Sequence, residues 1–161
     1  PNAPVTLLEY GDFECPYCAM AAPVLEGIVD ENPDAIRLIY RHFPVTTVHP
    51  RSLIAAEAAE AAGAQGKFWE MHNALFANQP NFEIDSLRVM ANGIGLEMRR
   101  FDREMEAHVH LPEVRQDFRR GVTDGVNGTP TIFINRVRYD GPRERGAILS
   151  AIAALAGARE V

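Results

Sequence analysis

Cysteine is scarce in this chain: two residues in 161, at positions 15 and 18. If they pair with each other, no cross-link remains to staple distant segments. A disulfide-held secreted scaffold is thereby excluded, and the fold must rest on its core. Long apolar runs are also lacking, and no stretch approaches the roughly 18–20 residues that span a bilayer. Nor is there an excess of positive charge. Against 16 Lys and Arg stand 22 Asp and Glu, a net charge of −6. A mildly acidic chain has no general electrostatic attraction for nucleic acid or an anionic membrane. Internal repeats, low-complexity linkers and a visible signal peptide are missing too. The chain opens Pro1-Asn2-Ala3-Pro4 without an initiator Met, so a processed chain, or one cut from something longer, is expected.

What is present is ordinary for a globular protein: 47% hydrophobic and 24% charged residues. The length suits one domain with a real core. Residues 5 to 10 (Val-Thr-Leu-Leu-Glu-Tyr) read as a buried strand. A helix is expected from Cys15, because Pro16 suits a first helical position, and it should kink at Pro23 and stop near Asn32-Pro33. Ile36 to Tyr40 reads as a second strand. Alanine dominates 55 to 64, and Phe68, Met71 and Leu75 recur at helical spacing, as do Trp69, His72 and Phe76. Further helices are expected over 84–92, 97–106 and 112–124, with breaks at Gly93, Gly95, Pro112 and Gly125. Strands are expected again at Thr131–Ile134 and Arg136–Tyr139, joined by a tight turn at Asn135-Arg136, and a helix over 143–157. The order β-α-β, helices, β-β-α predicts an α/β fold with one mixed sheet flanked by helices. Residues 1–50 and 127–161 would form the sheet-bearing halves of a single domain. Residues 51–126, too long for a loop, would form an inserted all-helical subdomain.

The two cysteines carry the chemistry. A thiolate, not a thiol, attacks a disulfide, and an ordinary Cys has a pKa of about 8.5. Cys15 sits where a helix begins, and unpaired N–H groups and the positive dipole end favour a negative sulfur there. Cys18 lies about one turn deeper, so the two sulfurs can close a small ring. Cys15 is expected to be the exposed nucleophile and Cys18 the resolving thiol. Two alternatives compete. Zinc needs four ligands, and no second Cys or His pair at suitable spacing exists; His108 and His110 are two apart. Two inert core cysteines are disfavoured by Pro16 at a helix start just after a strand. His42 and His72 read as structural, and Arg99, Arg100 and Arg103 as a solvated face with Asp102 and Glu104.

Several segments carry a resemblance. Leu8-Glu9-Tyr10-Gly11-Asp12-Phe13-Glu14-Cys15-Pro16-Tyr17-Cys18 is similar to the active-site region of DsbA-like thioredoxin-fold thiol–disulfide oxidoreductases. Gly128-Thr129-Pro130-Thr131-Ile132-Phe133-Ile134 resembles their cis-proline loop and following strand. Pro23, the phrase Tyr40-Arg41-His42-Phe43-Pro44 and the stretch Phe68-Trp69-Glu70-Met71-His72 also resemble that family. The resemblance implies a thioredoxin fold, with Pro130 cis beside the Cys15 sulfur. It leaves the Thr129 backbone free to pair with an extended substrate, and puts the Thr129 hydroxyl near the sulfur. Glu9, six residues before Cys15, would be a buried acid that assists proton transfer to Cys18. Tyr17 stands where the strongest oxidants of the family carry His, which implies a milder oxidant. Glu14 is expected to point to solvent. The resemblance implies protein substrates with thiols or disulfides and a redox partner that resets the pair. It implies no organic cofactor, no metal and no nucleic acid, and a membrane only if the domain is appended to a membrane protein such as an antiporter. A glutathione-dependent reductase remains an alternative, and an oxidising, extracytoplasmic compartment is favoured over the cytoplasm.

Overall fold

The computed structural model describes residues 3–157. Pro1, Asn2 and residues 158–161 lie outside it. The central strand is β1 (Val5–Gly11), in which Val5, Thr6 and Tyr10 favour the extended chain. It pairs parallel with β2 (Ile36–His42), with Val5 opposite Ile36 and Gly11 opposite His42. On its other side it pairs antiparallel with β3 (Thr131–Ile134), Glu9 opposite Ile132. β3 pairs antiparallel with β4 (Val137–Tyr139), giving the sheet order β2-β1-β3-β4. The β3–β4 turn is Asn135-Arg136, both with positive φ, the primed geometry that suits a two-residue hairpin. β4 begins one residue later than the sequence suggested, because Arg136 is spent in that turn.

Helix α1 (Pro16–Glu31) crosses from β1 to β2. It runs continuously through Pro23, whose missing N–H leaves the Ala19 carbonyl without that helical donor. Leu25 and Ile28 from α1 pack with Leu7, Ile132 and Ile134 of the sheet and with Ile148 and Ile152 of the last helix, α7 (Arg145–Gly157). Each such fully buried aliphatic side chain contributes about 1.5–3 kcal/mol by leaving water.

Between β2 and β3 the chain forms five helices: α2 (Ser52–Gly63), α3 (Phe68–Ala77), α4 (Ile84–Gly93), α5 (Met98–Glu106) and α6 (Leu111–Thr123). Alanines 55, 58, 59, 61 and 62 of α2 pack with Met71, Leu75, Leu87 and Phe101 in a second core. Phe13 and Tyr40 belong to that core as well, so the helices grip the connection that precedes the cysteines. Pro112 does not break the chain here. It sits in the first turn of α6, where no N–H is needed. α6 covers the opposite face of the sheet, where Phe118 stacks on Phe43 at 4.5 Å. Among the described residues no helix is long and apolar enough to cross a membrane.

Candidate active site

The site forms where β1 ends and α1 begins. Cys15 is the N-cap of α1, in an extended conformation, and its side chain makes no capping hydrogen bond to the backbone. The first N–H groups of the helix therefore stay available to its sulfur. Cys15 and Cys18 are both free thiols, and both are buried. The exposure of Cys15, at 3%, corrects the expectation of an openly exposed nucleophile. The cover comes from the far end of the chain. The Thr129–Pro130 bond is cis, and the Thr129 carbonyl oxygen lies 3.6 Å from Cys15 Sγ.

The two sulfurs sit in opposite electrostatic settings. The Cys15 thiol is pulled down from 9.0 to about 5. The largest cause is the Cys18 S–H, which donates to it; the Thr129 side chain and the N–H groups of Cys18 and Tyr17 add to this against the cost of burial. Cys18 is pushed well above its usual value, first by burial, then by donating to Cys15 and by the charges of Glu9 and Cys15. The Asp12 N–H points at Cys18 Sγ at 3.5 Å and works the other way. One sulfur is thus held as an anion and the other as a neutral thiol.

Glu9 lies in the centre of the sheet beneath α1, fully buried, and neither carboxyl oxygen has a hydrogen-bond partner. Burial raises its pKa from 4.5 to about 8, helped by the charges of Glu26 and Cys15 and opposed by Arg143. Glu9 does not face solvent. Glu14 does not bear on the sulfur, since its carboxylate accepts from the Arg51 backbone N–H at 2.9 Å. Pro16 and Tyr17 lie on the exposed side of the helix start. The Tyr17 ring is 63% exposed and Met20 next to it 70%.

Several residues that sequence reasoning passed over hold this geometry. Asp12, buried, accepts from the backbone N–H of Glu14 and Val45, each at 2.8 Å, and lies 2.9 Å from His49 Nδ1. Its carbonyl accepts from the Cys15 N–H at 3.1 Å. Gln79, from the α3–α4 connection, donates to the carbonyls of Phe13 and Cys15. Arg143 donates to the Pro130 carbonyl at 3.1 Å. An Asp that follows a strand and precedes a redox pair is a sequence signal for the first of these; Gln79 and Arg143 carry no local signal. Gly11 has a steric reason: an added Cβ would lie 2.5 Å from the Tyr40 ring. His72 is buried among Phe13, Tyr40, Phe68, Trp69 and Phe76. His42 pairs with Glu60 at 2.7 Å. Both histidines are built into packing, as expected.

Comparison with known proteins places this geometry. A family model described as Thioredoxin matches residues 1–154. A thioredoxin-like oxidoreductase from Silicibacter pomeroyi DSS-3 is 31% identical, covering 100% of this chain and 90% of that one, with a TM-score of 0.83. DsbA2 from Pseudomonas aeruginosa is 26% identical over 95% of this chain and 89% of its own, with a TM-score of 0.76. The chain belongs to the thioredoxin family, in its DsbA-like thiol–disulfide oxidoreductase branch. Among curated proteins it is 39% identical, over 96% of its length, to the Na(+)/H(+) antiporter NhaA 1 of Mycobacterium sp. (strain KMS). It spans about a quarter of the length of the curated relatives it matches.

Proposed function

We propose that the chain exchanges disulfides with protein substrates through Cys15 and Cys18. The observation that carries this reading is the opposite setting of the two sulfurs, one held as thiolate and one as thiol. The Cys15 thiolate attacks a substrate disulfide, or is the sulfur at which a substrate thiolate attacks the enzyme's own disulfide. In either direction a Cys15–substrate disulfide forms. In the reducing direction Cys18 then resolves it by attacking Cys15, giving its proton to Glu9. In the oxidising direction Cys18 leaves as the thiolate and takes a proton from Glu9, and a second substrate thiol attacks the substrate sulfur and releases the Cys15 thiolate. Pro16 fixes the helix start, and Tyr17 lines the mouth of the site. The Thr129–Pro130 edge receives the substrate chain as an added strand. The chemistry needs neither metal nor organic cofactor. Residues 51–126 act as a helical cap on two thioredoxin-fold halves, 1–50 and 127–161.

A good leaving group at Cys15 favours oxidase or isomerase work, in an oxidising extracytoplasmic space with a partner that resets the pair. Replacing Cys15 with Ser abolishes insulin reduction and oxidative refolding on this reading; full activity in that variant overturns it. A second reading is a redox-sensing domain appended to a membrane transporter. It is favoured by the antiporter relatives, of which the chain matches a quarter. Slow turnover beside a fast, reversible change of Cys15–Cys18 state would select it.

A further inference from the structure

Cys18 must lose or gain a proton each time it resolves or re-forms the pair, and Glu9 is its acid–base partner in the reading above. Glu9 has no exposed surface of its own. It sits on the central strand, paired on both sides, under α1, and is fully buried with both oxygens unpartnered. A proton taken up there has to move on.

Glu26 stands two turns along α1 from Cys18 and is the carboxylate whose charge bears most on Glu9. Its Oε1 is buried without a hydrogen bond, 3.2 Å from Nδ1 of the fully buried His72. The side chain as a whole is 28% exposed and lines an open cavity of about 400 Å³ between α1, β2 and α3, with Leu38, Trp69 and Asn73. His72 Nδ1 also lies 2.8 Å from the Asn73 side-chain oxygen, so the ring has a fixed orientation beside Glu26. We propose that Glu26 is the port by which the proton carried by Glu9 reaches solvent, its inner oxygen set beside the His72 ring.

This rests on the exchange reading, and the balance of the resolving step follows from it. Cys18 S–H gives its proton to Glu9. The Cys18–Cys15 bond forms with the electron pair of the Cys18 sulfur, and the Cys15–substrate bond breaks. The substrate sulfur leaves as a thiolate, reduced, while the enzyme pair is oxidised. The Glu9 proton passes to Glu26 and then to cavity water. In the mixed disulfide Cys15 carries no charge, so one repulsion on Glu9 is lifted and more of it stands ionised as the base, though each ionised Glu9 binds its proton less tightly. The charged and titratable groups around this path are Cys15, Cys18 and Asp30 from α1 and its cap, Arg37 and Tyr40 from β2, His72 from α3, and Arg143 before α7.

The test follows the two steps separately. Reduced full chain is mixed with oxidised glutathione, and mixed-disulfide formation and its resolution are timed from pH 5 to 9 in the wild type, E26Q and E26D. In E26Q the plateau rate of resolution falls about tenfold, within the range of lost general acid–base catalysis. The pH at which resolution accelerates moves down, because Glu9 loses a like-charged neighbour. Imidazole buffer restores the E26Q rate, and E26D keeps most of the wild-type rate. First-step rates serve as the internal reference. E26Q resolution at the wild-type rate and pH profile overturns the proposal. So does slow resolution that imidazole leaves unchanged. A wild-type chain that forms no mixed disulfide overturns the exchange reading itself.

Discussion

Cys18 is the largest stabiliser of the Cys15 thiolate, so removing its S–H is the most informative perturbation of the pair. At pH 7 a thiol with a pKa of about 5 is roughly 99% ionised, against about 1% for one at 9.0, a gain near 100-fold in thiolate. Intrinsic nucleophilicity falls along a Brønsted slope of about 0.4–0.5, so four units cost roughly 40- to 100-fold. The two nearly cancel for attack. What remains is the leaving-group effect, which speeds every step in which Cys15 departs. A thiol whose folded pKa is depressed adds stability to the reduced fold that is fully present above the unfolded value. That stability is lost as pH falls through the folded value of about 5. At pH 7 two units remain, about 2 kcal/mol once solvent at the mouth is allowed for, or roughly 40 mV toward a stronger oxidant. Replacing Cys18 with Ala removes one charge-assisted hydrogen bond, worth about 1.5–3 kcal/mol, and should raise the Cys15 pKa by about one to two units. Cys18→Ser keeps a donor and should move it less. Thiolate absorbance near 240 nm, followed against pH in the two variants, reads this directly. Identical titrations in both variants, or a wild-type midpoint near 8 or 9, would refute the reasoning.

Three further outcomes are expected. Glu9→Gln removes an acid whose folded pKa is raised, so the reduced wild type alone loses stability as pH rises from 4.5 to 8. The denaturation free-energy difference between the two should widen in the variant's favour by about 3 kcal/mol from pH 4.5 to 7, and a gap that does not change with pH contradicts this. Tyr17→His adds a donor beside the thiolate and should raise the reduction potential by roughly 30 mV; an unchanged or lower potential counts against the role given to that position. Gln79→Ala frees the Phe13 and Cys15 carbonyls and should cost about 1–2 kcal/mol in thermal unfolding, whereas no change would show that the latch is idle.

The parts of the site readable in the sequence are those encoded locally. Pro16 after Cys15 marks the helix start, the Cys spacing brings the two thiols together on one side of it, and Asn135-Arg136 announces its hairpin. The alanines of α2 declare their helix because alanine is the strongest helix former, and their small side chains allow the close packing seen there. Residues supplied across long separations were not readable. Gln79 reaches Cys15 over 64 positions and Arg143 reaches Pro130 over 13, and neither side chain differs in type from a solvated one. Glu26 is one of several acids along α1, and only the fold sets His72 beside it. Cys15 looked exposed because nothing in its own segment shows that Thr129 folds over it. Strand alternation left Glu9 open, since it stands between Leu8 and Tyr10; only the packing of α1 on that face fixes its burial.

The central claim is that Cys15 and Cys18 form one reversible redox pair with a reactive anionic end. Its most direct test is the reduction potential of the pair in glutathione buffers of graded ratio. Full, reversible conversion between dithiol and disulfide is expected at a potential between about −120 and −270 mV. A pair that does not equilibrate with glutathione, or that titrates below about −270 mV, would contradict it.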